Sequence, residues 1–274
     1  MNLIRAYDRL IERARRRSPG FNHAWLAYQR YGENFGPRLA AAIAYYGFFA
    51  AFALSLGAVS VLGYVLAGDP RVAGTATDYL ARNLPFLSVE SISKARATVG
   101  LLSLVGLLLT GVGWVDAMRS SQRLMWQLEQ QPGNMVLRRL IDLAMLIGLG
   151  LLFAASLWAS TGVQAVLPRW LGPVLTALVN LVMAGALLVA VPRLWVGPRR
   201  MLGPVLVVGL GLTLLTSVGR VYVTHTAHNP AYRVVGAAAG LLVFLYLFSQ
   251  LLLFGAALGA TGRGPVRDAA TGDR

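Results

Sequence analysis

The sequence predicts an all-α polytopic membrane protein. It has six transmembrane helices, an amphipathic N-terminal helix, and a helical extracytoplasmic loop between spans one and two. Three observations predict this. The 274 residues are 56% hydrophobic and only 13% charged, with a mean hydropathy of +0.60, whereas soluble domains carry about 25% charge. Six apolar stretches, at about 39–66, 99–118, 141–167, 171–194, 201–223 and 234–258, approach or exceed the roughly 20 residues that cross a bilayer core. Finally, lysine and arginine divide 18 to 7 between alternate sides of those stretches. By the positive-inside rule, both termini are then cytoplasmic.

Residues 1–38 form a cytoplasmic basic segment, 39–260 the six-helix domain, and 261–274 a cytoplasmic tail. Leu3, Tyr7, Leu10, Ile11 and Ala14 share one helical face, with Arg5, Arg9, Arg13 and Arg16 largely elsewhere. Such a helix suits an anionic inner leaflet, and packing on other cytoplasmic loops is the alternative. The first apolar run is too long, and the basic region before it too extended, for a cleavable signal. Trp25, Tyr28, Tyr31 and Phe35 lead into span one as an interfacial belt would. In the external loop 69–98, Asp69-Pro70 reads as a helix start, and Pro85 divides the loop into two short helices. Pro168-Arg169-Trp170 joins spans three and four as a tight hairpin. No stretch alternates with period two, so a barrel is not expected.

Within span one, Ala40, Ala44, Gly47, Ala51, Ser55 and Ala58 recur every three or four residues. This small-residue stripe is a helix-packing surface, with Ala50 off it. Tyr45, Phe48, Phe49 and Phe52 form a neighbouring aromatic face, and Tyr46 lies beside the stripe, turned towards the bundle. A phenol buried in lipid needs a hydrogen-bond partner. Tyr45 and Tyr46 therefore read either as an inward polar feature or as plain packing with a hydroxyl on a backbone carbonyl. Span six carries two further packing pairs, Gly236 with Gly240 and Gly255 with Gly259.

Ionisable groups at membrane depth are costly and are functional candidates by default. Asp116 ends span two with Arg119 one turn on, and Asp142 opens span three one turn after Arg138 and Arg139. These five residues form a candidate charged cluster at the cytoplasmic mouth, suited to a lipid headgroup phosphate. Helix-end salt bridges are the plainer alternative. Asn180 and Gln250 read as cross-helix hydrogen-bonding groups. His225 and His228 stand one turn apart without a Cys, Asp or Glu to complete a metal set. The chain has no cysteine, which excludes disulfides and thiolate chemistry. No metal site, cofactor or catalytic residue is expected. In a membrane protein the charge of +14 marks cytoplasmic loops and anionic lipid rather than nucleic acid.

The order of these motifs resembles a known family. "RLAAAIAYYGFFAAFALSL", "MLGPVLVVGL" and "NPAYRVVGAAAGLLVFLYLFSQLLLFGAALGAT" are similar to the first-span, fifth-span and last-span signatures of the YihY/BrkB family of bacterial inner-membrane proteins. "GWVDAMRSSQRLMWQLEQQPGNMVLRRLIDL" looks most like its YhjD-type branch. The resemblance runs from about residue 20 to 262. It implies six helices, cytoplasmic termini and a link to lipid export. The family's old ribonuclease BN label finds no acidic or histidine cluster here to support phosphodiester cleavage. Many members have an acid after a Gly-Ala in the last span. This chain reads Gly255-Ala256-Ala257, so no role of that acid carries over.

The sequence thus reads as a non-enzymatic inner-membrane protein that transports or exports a lipid or other amphiphile. The alternative is a non-transporting scaffold recruiting partners through its basic cytoplasmic face. Membrane lipids, chiefly anionic, are the expected partners, and a homo-oligomer stays open. The topology has a direct check. Cysteine placed at Ser18 or Thr271 should resist an impermeant thiol reagent in intact cells while cysteine at Thr75 reacts, and labelled termini would overturn the orientation.

Overall fold

The computed structural model describes residues 11–68, 89–162, 171–226, 233–264 and 266–270. The described residues are almost entirely helical. Residues 11–17 are helical, followed by α1 (Pro19–Glu33), α2 (Gly36–Gly68), α3 (Val89–Gly106), a π turn (Leu107–Gly111) and α4 (Val112–Met125). Then come α5 (Met135–Gly162), α6 (Leu171–Gly185), a second π turn (Ala186–Ala190), β1 (Leu194–Val196), α7 (Pro198–Thr226), α8 (Arg233–Ala260) and β2 (Val266–Asp268). Four helical stretches are long and apolar enough to cross a membrane: Gly36–Ala58, Arg96–Met125, Pro198–Gly219 and Gly236–Ala260. Ala177–Ala190 is a shorter apolar helix. The expected third stretch falls on α5.

The chain divides into two compact units, Met1–Ala44 with Val115–Arg274, and Tyr45–Trp114. In the first unit Ser18 caps α1 through its Oγ, which accepts from Phe21 N at 3.3 Å, and Pro19 takes the first helical position. A proline there loses no intrahelical bond. α1 packs on α8: Ala27 is wholly buried, and His23 Nε2 lies 2.9 Å from the Leu258 carbonyl. This part of the basic segment therefore rests on protein; Leu3, Tyr7 and Leu10 lie outside the described residues. Tyr28 and Phe35 are exposed, as a belt requires, but Tyr31 turns inward and its hydroxyl is buried. Burial, and then the Tyr246 phenol, pushes Tyr31 up to about 12. A raised tyrosine favours the folded state below the unfolded value near 10 and loses that contribution as pH climbs through about 12. Phe35 turns the chain with a positive φ of 54°. A side chain at Gly36 would collide with the Tyr31 ring.

Along α2 the buried line runs through Ala40, Ile43, Ala44, Gly47, Ala50, Ala53 and Ser60. The expected stripe holds from Ala40 to Gly47 and then fails. Ala51 is half-buried, Ser55 and Ala58 are exposed, and Ala50 is only 1% exposed. The buried positions pair seven residues apart (40 with 47, 43 with 50, 53 with 60). Tyr45 and Tyr46 are also corrected. They are 59% and 42% exposed, so neither is a buried phenol, and Tyr45 packs edge-on to Phe49 at 4.9 Å.

In the second unit α2 and α3 run antiparallel at close range. Ser60 donates to the Arg96 carbonyl at 2.7 Å. A Cβ on Gly100 would stand 2.5 Å from Ser60 Oγ, one on Gly57 3.4 Å from Ser103, and one on Gly106 3.4 Å from Ala53. Gly113 lies against the Tyr46 ring, and Gly47 against Trp114, where a Cβ would come within 2.8 Å of the indole nitrogen. Small residues on both helices let the backbones approach, as association in lipid requires. The loop expected over 69–98 is shorter at its second end, because α3 already begins at Val89. Asp69-Pro70, Pro85 and the 168–170 hairpin lie outside the described residues.

In the first unit α7 packs on both α6 and α8, and α5 packs on α6. Gly255 makes room for Val208, Gly259 for Trp126 and Met201, Gly209 for Leu181 and Gly211 for Leu251. Gly255 and Gly259, the second of the two glycine pairs, are both tight contacts, while Gly236 and Gly240 are half-exposed. Asn180 donates to Thr213 Oγ1 at 3.0 Å, a bond from α6 to α7. The helical stretch expected to reach residue 194 ends at Ala190. Leu194–Val196 instead pairs antiparallel with Val266–Asp268, Trp195 standing opposite Arg267. The tail residues after Ala260 thus return to the first unit.

Leucine at Gly47 or Ala50 should lower the thermal midpoint in detergent, since overpacking costs about 1–3 kcal/mol. Leucine at Ser55 or Ala58 should be mild. Equal midpoints for all four variants would refute the seam.

Candidate functional site

The buried face of α4 carries Val115, Met118, Arg119, Gln122, Arg123 and Met125. Two of these are arginines one turn apart, both 0% exposed. A buried guanidinium is tolerated only when its donors and its charge are met. Local structure meets the donors. Gln127 takes a positive φ of 57°. Leu128 N then bonds the Arg123 carbonyl at 3.0 Å and Gln127 N that of Leu124 at 3.0 Å, closing α4 in a Schellman motif. The chain folds back, and three successive carbonyls each meet a different arginine. Arg123 Nε donates to Glu129 O at 2.5 Å, Arg119 Nη1 to Gln130 O at 2.8 Å and Arg138 Nη1 to Gln131 O at 3.1 Å. Arg138 Nη2 also bonds the Gln131 side chain at 3.1 Å. Asn134 Oδ1 then accepts from Val136 N at 2.8 Å and caps α5.

Aspartates meet the charge. Asp142, wholly buried, accepts from Arg119 Nε at 3.0 Å and from Arg193 Nη2 at 2.7 Å. Arg119 Nη2 also pairs with Asp116, whose other oxygen lies 3.4 Å from Arg139. Arg123 grips Asp268 with both terminal nitrogens, at 2.9 and 2.5 Å, and reaches the Pro192 carbonyl at 3.1 Å. Arg193 sits in the turn after α6 with a positive φ of 59°. That conformation costs an L-residue about 1–3 kcal/mol, and here it aims the guanidinium at Asp142 and at the Arg138 carbonyl, 3.2 Å away. Burial lowers the Arg193 pKa from its usual value; Asp142 opposes this, while Arg119, Arg123 and Arg138 lower it further. Five arginines thus share three aspartates at one end of the helices, an excess of two positive charges. Among the described residues no group of three or more His, Cys, Asp or Glu could hold a metal ion. His228 lies outside them, so the histidine pair is not placed.

All five residues expected in the cluster are brought together, with different pairing. Arg138 does not bind Asp142, although the two share a helical face; it turns to Gln131. Arg119 and Arg193 hold Asp142 instead. Tyr45 and Tyr46 belong to the other unit. Three members escaped the sequence: Arg123, Arg193 and Asp268. Arg123 follows Arg119 by one helical turn, a spacing that could have marked a shared face. Asp268 is 145 residues from its partner and leaves no local signal.

Comparison with known proteins shows the family of the chain. The family model described as "Virulence factor BrkB" matches residues 27–271. The chain belongs to the BrkB family. An uncharacterized protein of Dickeya dadantii (strain 3937) is 30% identical, over 89% of this chain and 84% of its own length. "Inner membrane protein YhjD" of Escherichia coli (strain K12) is 24% identical, over 89% and 82% respectively. No solved structure matches. The match includes β2 and Asp268 as well as the second half of α1, so the BrkB model spans every residue of the charged cluster. Ala257, which follows Gly255-Ala256 in α8, is wholly buried.

Removing one partner from a buried pair costs about 3–5 kcal/mol, whereas an exposed pair contributes about 0–1. Asp142→Ala should therefore lower the midpoint sharply, and Arg139→Ala, at a side chain 42% exposed, should barely move it. A mild Asp142→Ala would mean that the network is not desolvated.

Proposed function

We propose that this chain is a six-span protein of the bacterial inner membrane, with cytoplasmic termini, that exports a lipid or other amphiphile with an anionic head. α5 and the α6 region supply the two spans beyond the four that pass on length and composition. The printed name of the Escherichia coli relative supports the compartment. One observation carries the functional reading: Asp142 is wholly buried between Arg119 and Arg193, in a cluster with more arginines than acids. A bundle needing only to stay packed is often as stable or more so with apolar side chains at such positions. A positive excess at a helix end fits a phosphate that arrives from outside. Arg139 is the exposed member and is held only at 3.4 Å by Asp116. It is free to change partner, and a guanidinium can take a phosphate through two parallel bonds. Asp116 keeps the arginine occupied between ligands. The chain has no nucleotide-binding signature, so transport is passive, ion-coupled or driven by a partner, and no enzymatic step is invoked.

A static scaffold is the second reading. It is favoured by the internal partners that every arginine of the cluster already has. The two separate in liposomes. Arg139→Ala should fold and express like the parent, retain less phosphatidylglycerol through purification, and move a labelled anionic lipid roughly tenfold more slowly, the worth of one charged hydrogen bond. Unchanged retention and transport in a folded variant would sink the export reading and leave the scaffold.

A further inference from the structure

Arg123 is wholly buried, yet its carboxylate comes from the short second strand of a two-stranded ribbon. The ribbon is three residue pairs long, Leu194 with Asp268, Trp195 with Arg267 and Val196 with Val266. One further backbone bond, from Ala269 N to Arg193 O at 3.1 Å, extends it. The Asp268 carboxylate meets Arg123 in the fork geometry that guanidinium offers any oxyanion, with Oδ1 at 2.9 Å and Oδ2 at 2.5 Å. Oδ1 also accepts the Ala270 backbone N–H at 2.9 Å. The other faces of Arg123 are closed by the fixed carbonyls of Glu129 and Pro192. Arg193 comes close enough for its charge to feel Arg123, Arg119 and Arg138. The pocket is therefore a positive, pre-formed oxyanion receptor built on α4 and the turn after α6. A side chain carried on a separable strand fills it.

We propose that Arg123 forms an oxyanion-binding site for a phosphate or carboxylate group, with Asp268 as its internal occupant, so that an external anion and the strand β2 compete for one guanidinium. When β2 lifts, removing Asp268 leaves the guanidinium buried and uncompensated. That state is costly, and an anion of matching geometry relieves it. The site is distinct from Arg139 and stands whether or not the chain exports lipid. Two sources offer the chemistry, a soluble phosphate and the phosphate of a lipid headgroup.

The test uses the full chain in neutral detergent, with Asp268→Asn as the near-isosteric variant and Asp268→Ala beside it. Inorganic phosphate, compared with chloride at equal ionic strength, should raise the thermal midpoint of both variants by at least roughly 2 °C, while the parent, whose site is filled, should move less. Adding Arg123→Gln to Asp268→Asn should abolish the response. In a second arm, phosphatidylglycerol retained from mixed phosphatidylcholine vesicles is counted by native mass spectrometry. More retained by the variants than by the parent, without a response to free phosphate, assigns the site to a lipid headgroup. The reverse assigns it to a soluble anion. If neither probe distinguishes Asp268→Asn from the parent, or if phosphate still stabilises the Arg123→Gln double variant, the proposal is overturned. Asp268→Ala serves as a rescue arm. Failure to fold in chloride with recovery in phosphate or phosphatidylglycerol supports the site. Failure in all three counts against it, because an emptied receptor should be relieved by one of the two anions.

Discussion

Everything at one end of the first unit depends on the need to neutralise Arg119 and Arg123 away from water. Neither guanidinium is exposed, and the desolvation penalty of an ion exceeds what a single hydrogen bond returns. The local structure can be derived from that constraint. The chain after α4 must reverse so that its carbonyls face the helix it has just left. α5 must start where Asp142 reaches inward. The turn after α6 must accept a left-handed arginine, and a strand from the far end of the chain must deliver a third carboxylate. α4 and the α6–β1 turn also bury apolar side chains here, among them Met118, Met125, Val191 and Leu194. The arginines add an electrostatic tie between these elements.

The membrane character, the approximate helix positions and the five expected cluster residues were legible because each rests on short-range pattern. A run without charge and an acid one turn from a base are both local. The pairing was not legible. Arg138 and Asp142 have the spacing of a helical ion pair, but a guanidinium chooses among all the acceptors in reach. The Gln131 carbonyl and amide oxygen were nearer for Arg138 than any helix-wheel argument reveals. The span-one stripe failed for a different reason. After Gly47 a spacing of three reaches Ala50 and a spacing of four reaches Ala51, both small residues, and only what packs against the helix decides that Ala50 is the buried one.

The antiparallel pair in the second unit follows another principle. Ser60, Gly57 and Ala53 on one helix meet Gly100, Ser103 and Gly106 on the other. The contact is made by the absence of side-chain bulk, with one hydroxyl bonding the facing backbone. The sequence displays such glycines openly, but a glycine in an apolar stretch does not name its partner. Recognition lies in the register, where one helix's numbers fall as the other's rise. The first unit is fixed by charge and the second by close approach, so the two units should respond differently to their surroundings. Loss of a buried charge acts on the first, and added side-chain bulk acts on the second.

The distance along the chain between Arg123 and Asp268 has a temporal meaning. Their separation of 145 residues means that the first group is synthesised long before the second. For most of translation α4 carries a buried charge with no carboxylate to match it. The pair becomes available only once the chain through β2 has been made and β2 pairs with β1. The ribbon is thus the closing step of assembly. A chain that ends short of β2 leaves Arg123 without its carboxylate, so this one ion pair ties the middle of the sequence to its far end.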